Sequence, residues 1–215
     1  LNRDSRLQGL YAITDARLAA AQGLSTQVEA ALEGGARIIQ YRDKGKDMSR
    51  RLEEAESLRR LTESHQALLI INDDVELAYQ CGADGVHLGR DDSDLPSARQ
   101  RLGTGTLIGI SCYNRLERAL QASRLGADYI AFGRFFASRS KPQAVQAEAH
   151  LLRQAREQLA LPLVAIGGIT PENGRRLIEA GADMLAVIHA VFGQADICQA
   201  CRRFQSIFMP EKETL

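Results

Sequence analysis

The chain has 215 residues, 45% of them hydrophobic, which suffices for one sizeable core and is short for two ordinary domains. Lys and Arg number 27 against 27 Asp and Glu, so the cationic surplus on which non-specific nucleic-acid binding rests is missing. No apolar run approaches the roughly 20 residues of a membrane helix, and the polar opening 1–8, with Arg3, Asp4 and Arg6, reads as neither signal peptide nor anchor.

Short apolar runs recur in chain order at 10–14, 37–41, 67–71, 85–88, 107–111, 129–132, 163–166 and 184–188. They do not alternate cleanly, as expected of strands covered on both faces. The stretches between them have the three-and-four spacing of helices, clearest over 25–33, 48–64, 116–125 and 147–159. Ser25 is placed to cap the first of these, and Thr170-Pro171-Glu172 reads as a cap followed by a proline in the first turn. Gly35-Ala36, Gly82-Ala83-Asp84, Gly126-Ala127-Asp128 and Gly181-Ala182-Asp183 each separate a helix from a strand. Glycine there ends a helix through a left-handed conformation. The doubled βαβα unit, four times over, predicts an α/β fold: a (β/α)8 TIM barrel in a single domain over 1–215, with 1–8 and 209–215 as peripheral termini. A doubly wound open sheet is the alternative. Of the four cysteines, only Cys198 and Cys201 have metal-ligand spacing, and they sit in a helical pattern without a second pair. Reduced thiols in a cytoplasmic protein are the expectation.

In a barrel the loops after the strands build the site. Those loops are unusually polar here. They carry Gln40, Arg42, Asp43, Lys44 and Lys46, then Asn72, Asp73 and Asp74, then His87, Arg90, Asp91 and Asp92. Further on come Ser111, then Arg134, Ser138, Arg139, Ser140 and Lys141, then Gly167 and Gly168, then His189. Arg42, Lys44 and Lys141 suit a polyphosphate, with Asn72 orienting an oxygen. Asp73 and Asp92 suit Mg2+, a hard ion that wants oxygen ligands. Open alternatives are a helix cap for Asp73, caps or solvated charge for Asp91 and Asp92, and surface charge for Arg42 and Lys44. The glycine doublet lets backbone N–H groups approach an anion where barrels often hold a phosphate, although an ordinary turn would also use it. His87 reads either as a packed core histidine or as a site group, and Tyr11 as barrel filling or substrate contact. His65 and His150 are expected on the surface, and Phe132, Phe135 and Phe136 mainly in packing.

Taken in order, these pieces resemble the thiamine-phosphate synthase family, also called thiamine-phosphate pyrophosphorylase, from Leu10 to about Phe192. The resemblance rests on Gln40-Tyr41-Arg42-Asp43-Lys44, Ile71-Asn72-Asp73 and Gly85-Val86-His87-Leu88-Gly89-Arg90-Asp91-Asp92. It continues through Gly133-Arg134-Phe135-Phe136, Ser138-Arg139-Ser140-Lys141 and Val164-Ala165-Ile166-Gly167-Gly168-Ile169. It implies a Mg2+-dependent transferase joining hydroxymethylpyrimidine diphosphate to hydroxyethylthiazole phosphate. Gln40, Arg42, Lys44, Asn72 and Lys141 would hold the pyrimidine diphosphate, and Asp73 and Asp92 the Mg2+. Ser111 would lie by the pyrimidine and departing diphosphate. Ser138, Ser140, Gly168, Ile188 and His189 would line the thiazole phosphate side. Tyr41, Asp43 and Arg139 travel in the same motifs as substrate-binding candidates. The family commonly has threonine at Ser138 and Ser140, serine at His189, proline at Arg134 and glutamine at Arg90, which touches the thiazole pocket most. A thiazole tautomerase-like barrel and a non-catalytic phosphate-binding regulator are the competing readings. A homodimer is compatible with a small barrel, but no sequence feature marks its surface.

Overall fold

The computed structural model describes residues 5–19, 23–89, 94–137 and 145–209. Eight parallel strands close on themselves in sequence order. They are β1 (Gly9–Ile13), β2 (Ile38–Tyr41), β3 (Leu68–Asn72), β4 (Gly85–Leu88), β5 (Leu107–Tyr113), β6 (Tyr129–Gly133), β7 (Leu163–Ile166) and β8 (Met184–Val187). Around them lie α1 (Ala16–Ala19), α2 (Leu24–Glu33), α3 (Met48–Ser64), α4 (Val75–Gln80), α5 (Leu95–Leu102) and α6 (Leu116–Arg124). The ring continues with α7 (Ala149–Gln158), α8 (Pro171–Glu179), α9 (His189–Phe192) and α10 (Ile197–Phe208). The seam closes with Tyr11 opposite Ile38 on one side and Ala186 on the other. The eight strand runs read from the sequence are these eight strands.

Both strand faces are buried, which is why the runs do not alternate. One face meets the helices: Leu10, Ile39, Leu69, Ile71, Val86 and Leu185 pack there against Val28, Leu58, Leu77 and Leu177. The other fills the barrel with Tyr11, Ile38, Leu68, Ile70, Tyr129, Val164 and Met184. Burial pushes the Cys81 thiol up to about 11 and those of Cys112 and Cys201 to about 12, so these buried free thiols stay protonated near neutrality.

Helix starts follow from local chemistry. Asp47, Asp74, Asp94 and Asp196 each accept the N–H three residues on, capping α3, α4, α5 and α10. Thr170 and Asn173 form a reciprocal capping box that brackets Pro171. Ser25 does not cap α2: the helix starts one residue earlier behind Gly23, and the Ser25 hydroxyl lies 3.3 Å from that of Ser57.

The repeated Gly-Ala-Asp marks prove to be clamps at the closed end of the barrel. Asp84, Asp128 and Asp183 stand just before β4, β6 and β8. Each accepts a backbone N–H from the preceding strand: Leu69 at 2.8 Å, Ile108 at 2.7 Å and Leu163 at 2.7 Å. Each is also paired with an arginine from the helix before that strand, Arg59, Arg99 and Arg156. The same arginines donate to the carbonyls of Gly82, Gly126 and Gly181. Each of those glycines has positive φ, at 64°, 91° and 111°. In the first unit Arg37 stands where the others have aspartate, and Gln205 of α10 donates to the Gly35 carbonyl instead.

Candidate active site

The C-terminal ends of the strands surround a cavity of about 340 Å3, a size suited to a small-molecule ligand. Its polar lining is built by period-two alternation. Gln40, Asn72, His87 and Ser111 sit at inward positions of β2, β3, β4 and β5, with the apolar Ile38, Ile70 and glycines Gly85 and Gly109 one inward position deeper. Gly167, Gly168, Ile188 and His189 complete the opposite flank after β7 and β8.

Asn72 and Asp73 end β3, and the two aspartates that follow divide their work. Asp74 caps α4 and pairs with Arg51 at 3.0 Å. Asp73 is therefore not the cap. It holds a left-handed backbone with φ 65°, uncommon outside glycine. Its carboxylate accepts from Asn72 Nδ2 at 2.6 Å and is paired with Lys44. Arg42 lines the same mouth and donates its backbone N–H to the Thr14 hydroxyl at 2.9 Å. Behind it Asp15 is buried and ionised. The hydrogen bonds from Arg17 and the positive charge of Arg42 hold its carboxyl below the usual carboxylate range.

Tyr41 and Asp43 face away from this mouth. The Tyr41 hydroxyl donates to Glu54 on α3 at 2.6 Å, and the Asp43 carboxylate pairs with Arg50 at 2.6 Å. Burial works against the Asp43 charge, yet the Gly45 N–H and Arg50 outweigh it and keep the carboxyl below its usual range. These two residues shape the β2 loop from outside; strand alternation sends Tyr41 outward because Gln40 points inward.

Gly167 and Gly168 have φ 103° and 63°. A Cβ on either would overlap the chain after β6, at Arg134 and at the Ala137 carbonyl. That chain pairs alongside the doublet, Phe135 N–H to Ile166 O at 3.1 Å and Phe136 N–H to Gly167 O at 3.0 Å. The doublet thus has a packing reason as well as a place at the mouth. Arg134 lines the cavity. His189 begins α9, and its ring Nδ1 is buried without a hydrogen-bond partner among the described residues. Asp92, Ser138, Arg139, Ser140 and Lys141 lie outside the described residues, as do Arg90 and Asp91. Among those described, no group of three or more His, Cys, Asp or Glu is gathered for a metal.

The sequence reading missed Tyr129. Its phenol sits inside the barrel with that of Tyr11, 3.0 Å apart. Gln40 Nε2 donates to Tyr11 at 2.8 Å, and His87 joins Tyr129 at 3.2 Å and Ser111 at 2.8 Å. A run of aromatic and polar residues at inward positions was the available signal. His65 and His150 are exposed, as expected.

The pattern of the family described as thiamine monophosphate synthase matches residues 10–191. A thiamine-phosphate synthase of Nitrosococcus oceani is 54% identical over 95% of this chain and 94% of its own length. One from Acidithiobacillus ferrooxidans is 49% identical over 98% of both. The chain belongs to the thiamine monophosphate synthase family. A solved thiamine phosphate pyrophosphorylase from Pyrococcus furiosus superposes with a TM-score of 0.86 at 37% identity, over 94% of this chain and 96% of that one. As a member of the thiamine monophosphate synthase family, the chain is a transferase on the expected closed barrel. Its described residues bring Gln40, Arg42, Asn72 and Ser111 into one cavity with Gly168, Ile188 and His189.

Proposed function

We propose that the chain joins hydroxymethylpyrimidine diphosphate to hydroxyethylthiazole phosphate, forming thiamine monophosphate and pyrophosphate. The observation carrying this reading is the single cavity whose one flank offers Gln40, Arg42, Asn72 and Ser111 and whose other offers Gly168, Ile188 and His189. Two phosphorylated rings need two anion sites facing one reacting carbon, and holding them in line removes much of the entropic barrier.

Arg42, Lys44 and Lys141 hold the diphosphate, and Asn72 donates to one of its oxygens. Ser111 donates to the pyrimidine diphosphate as its methylene C–O bond breaks and both electrons leave with pyrophosphate. The pyrimidine spreads the resulting positive charge, and the thiazole nitrogen lone pair then forms the new C–N bond. Such a path asks for no protein nucleophile; it asks for fixed positive charge where negative charge gathers. Ser138, Ser140, Gly168, Ile188 and His189 hold the thiazole phosphate, and the buried His189 Nδ1, without a partner among the described residues, is a polar atom such a ligand would satisfy.

Mg2+, when bound, supplies further positive charge to the leaving oxygens. Asp73 and Asp92 would hold it. The Asp73 carboxylate fits: it is a hard oxygen donor kept beside Asn72, and Mg2+ commonly takes one or two carboxylates plus substrate phosphate and water. Lys44, here paired with Asp73, would then be free to meet the diphosphate. Among the described residues no helix is long and apolar enough to cross a membrane. From its likeness to a biosynthetic transferase we place the reaction in the cytoplasm. A homodimer is compatible with this reading.

Mixing both phosphorylated heterocycles with Mg2+ tests it. Thiamine monophosphate and pyrophosphate should appear together and vanish with a chelator, and Asp92→Ala should lower turnover by roughly 100-fold or more. Metal-independent conversion of a single thiazole substrate would replace this reading with a tautomerase. Binding without turnover would replace it with a regulator.

A further inference from the structure

Five polar side chains cross the barrel interior in one hydrogen-bonded line: Gln40, Tyr11, Tyr129, His87 and Ser111. Each phenol has one proton to give. Gln40 Nε2 donates to the Tyr11 oxygen at 2.8 Å; either phenol can donate across the 3.0 Å to its neighbour, and the direction in which both phenol protons are used sends the Tyr11 proton to Tyr129. In that direction the Tyr129 proton goes to His87 Nδ1 at 3.2 Å. A neutral imidazole that accepts at Nδ1 carries its proton on Nε2, which donates to Ser111 Oγ at 2.8 Å. The Ser111 hydroxyl proton is then the last in the line, and Ser111 lines the mouth.

The line is built into the packing. The Tyr129 and His87 rings are stacked with centroids 5.6 Å apart and planes 26° from parallel. Gly109 makes room for the phenol, because a Cβ there would overlap the Tyr129 ring. Burial keeps both phenols protonated by raising them far above the ordinary tyrosine range. At the far end, the strand register shifts between Ser111 and Tyr113, and Arg118 Nε holds the Ser111 carbonyl at 2.9 Å. Such an irregularity aims a side chain at a barrel rim.

We infer that Tyr11, Tyr129 and His87 are positioning residues that set the His87 tautomer and thereby make Ser111 a one-way hydrogen-bond donor to the diphosphate substrate. The inference rests on the reaction proposed above. It assigns work to residues that need not touch the departing group. Run in reverse, the line would put the His87 proton on Nδ1 and turn the Ser111 proton inward, away from substrate.

The test joins a nitrogen NMR spectrum of His87 to a double-mutant cycle. The wild-type spectrum should show the Nε2–H tautomer; the Nδ1–H tautomer overturns the inference. Tyr129→Phe, which removes one hydroxyl and keeps the ring, should lower kcat about tenfold, an effect in the range of a lost hydrogen bond to a catalytic group, with KM for the thiazole phosphate unchanged. Ser111→Ala should lower kcat at least as far, and the double variant should be no worse than Ser111→Ala. Losses that multiply, or wild-type kcat in Tyr129→Phe, overturn the inference. Should Tyr129→Phe fold poorly, His87→Gln serves. Its amide N–H reaches toward Ser111, so it should keep more kcat than His87→Leu; equal losses overturn the line. If the wild-type protein makes no thiamine monophosphate, the proposed reaction falls, while the nitrogen spectrum still decides the direction of the line.

Discussion

Asp73, proposed as a Mg2+ ligand, occupies its place at a local cost. Its φ of 65° is a conformation glycine adopts freely and other residues reach at about 1 kcal/mol or more. A helix cap would not require that conformation, and Asp74 already supplies the cap. Asp73→Gly and Asp73→Ala both remove the carboxylate, and both should lose turnover by roughly 100-fold. They should differ in stability: by about 1 kcal/mol in urea unfolding, the glycine variant should be the more stable. An alanine variant of equal stability would remove the case for backbone strain. Gly109 poses the opposite problem. Its Cβ space is occupied by the Tyr129 ring, so Gly109→Ala forces a buried aromatic to move, at an expected cost of about 1–3 kcal/mol. Thermal and urea denaturation would show it. Neither constraint is written in the identity of the residue alone. An aspartate before another aspartate reads equally as cap or ligand, and a glycine in a strand reads equally as bulge or clearance.

At the scale of elements, the legible signal was repetition. The Gly-Ala marks, followed by Asp in three of the four, announced the doubled unit, because a positive-φ glycine recurs ahead of every even strand. Their partners were not legible. Arg59, Arg99 and Arg156 lie on helices α3, α5 and α7, among many other basic residues, and only closure of the barrel brings each to its aspartate. Ser25 misled for a related reason: a serine near a helix start is a cap only if the backbone turns there, and the turn comes at Gly23. The clamps predict a separation of stability from activity. Asp183→Ala leaves the Leu163 N–H without its carboxylate and Arg156 without its ion pair. The expected loss is about 1–3 kcal/mol, tempered by partial exposure of both side chains. Asp183→Asn, which keeps an acceptor oxygen, should lose less. In both variants kcat of the folded protein should stay near wild type, since the clamp sits at the end of the barrel opposite the mouth. A kcat that fell in step with stability would show that the two ends are coupled.

Across the whole molecule, the barrel was readable because its eight strands needed only apolar runs and turn glycines, both local signals. The mouth was readable in part. Gln40, Arg42, Asn72, Ser111, Gly168, Ile188 and His189 converge because each follows a strand or lies near its C-terminal end. Tyr41 and Asp43 sit in the same motif as Gln40 and Arg42, yet they face α3, a distinction that depends on strand register rather than on neighbourhood in sequence. Their placement has a consequence for the response to acid. Asp15 and Asp43 both follow the first two strands at the open end, and both are held below the usual carboxylate range, chiefly by Arg17 in one case and by the Gly45 N–H and Arg50 against burial in the other. A folded-state pKa below the unfolded value adds stability above the unfolded pKa, near 4, and that contribution is lost as pH falls through the folded value. The urea midpoint should therefore change little on this account from pH 7 down to about 4.5, then fall as these two carboxyls take up protons. Replacing both by asparagine should lower the midpoint at neutral pH and flatten the acid limb. An acid limb as steep in the double variant as in the wild type would place the acid sensitivity elsewhere in the molecule.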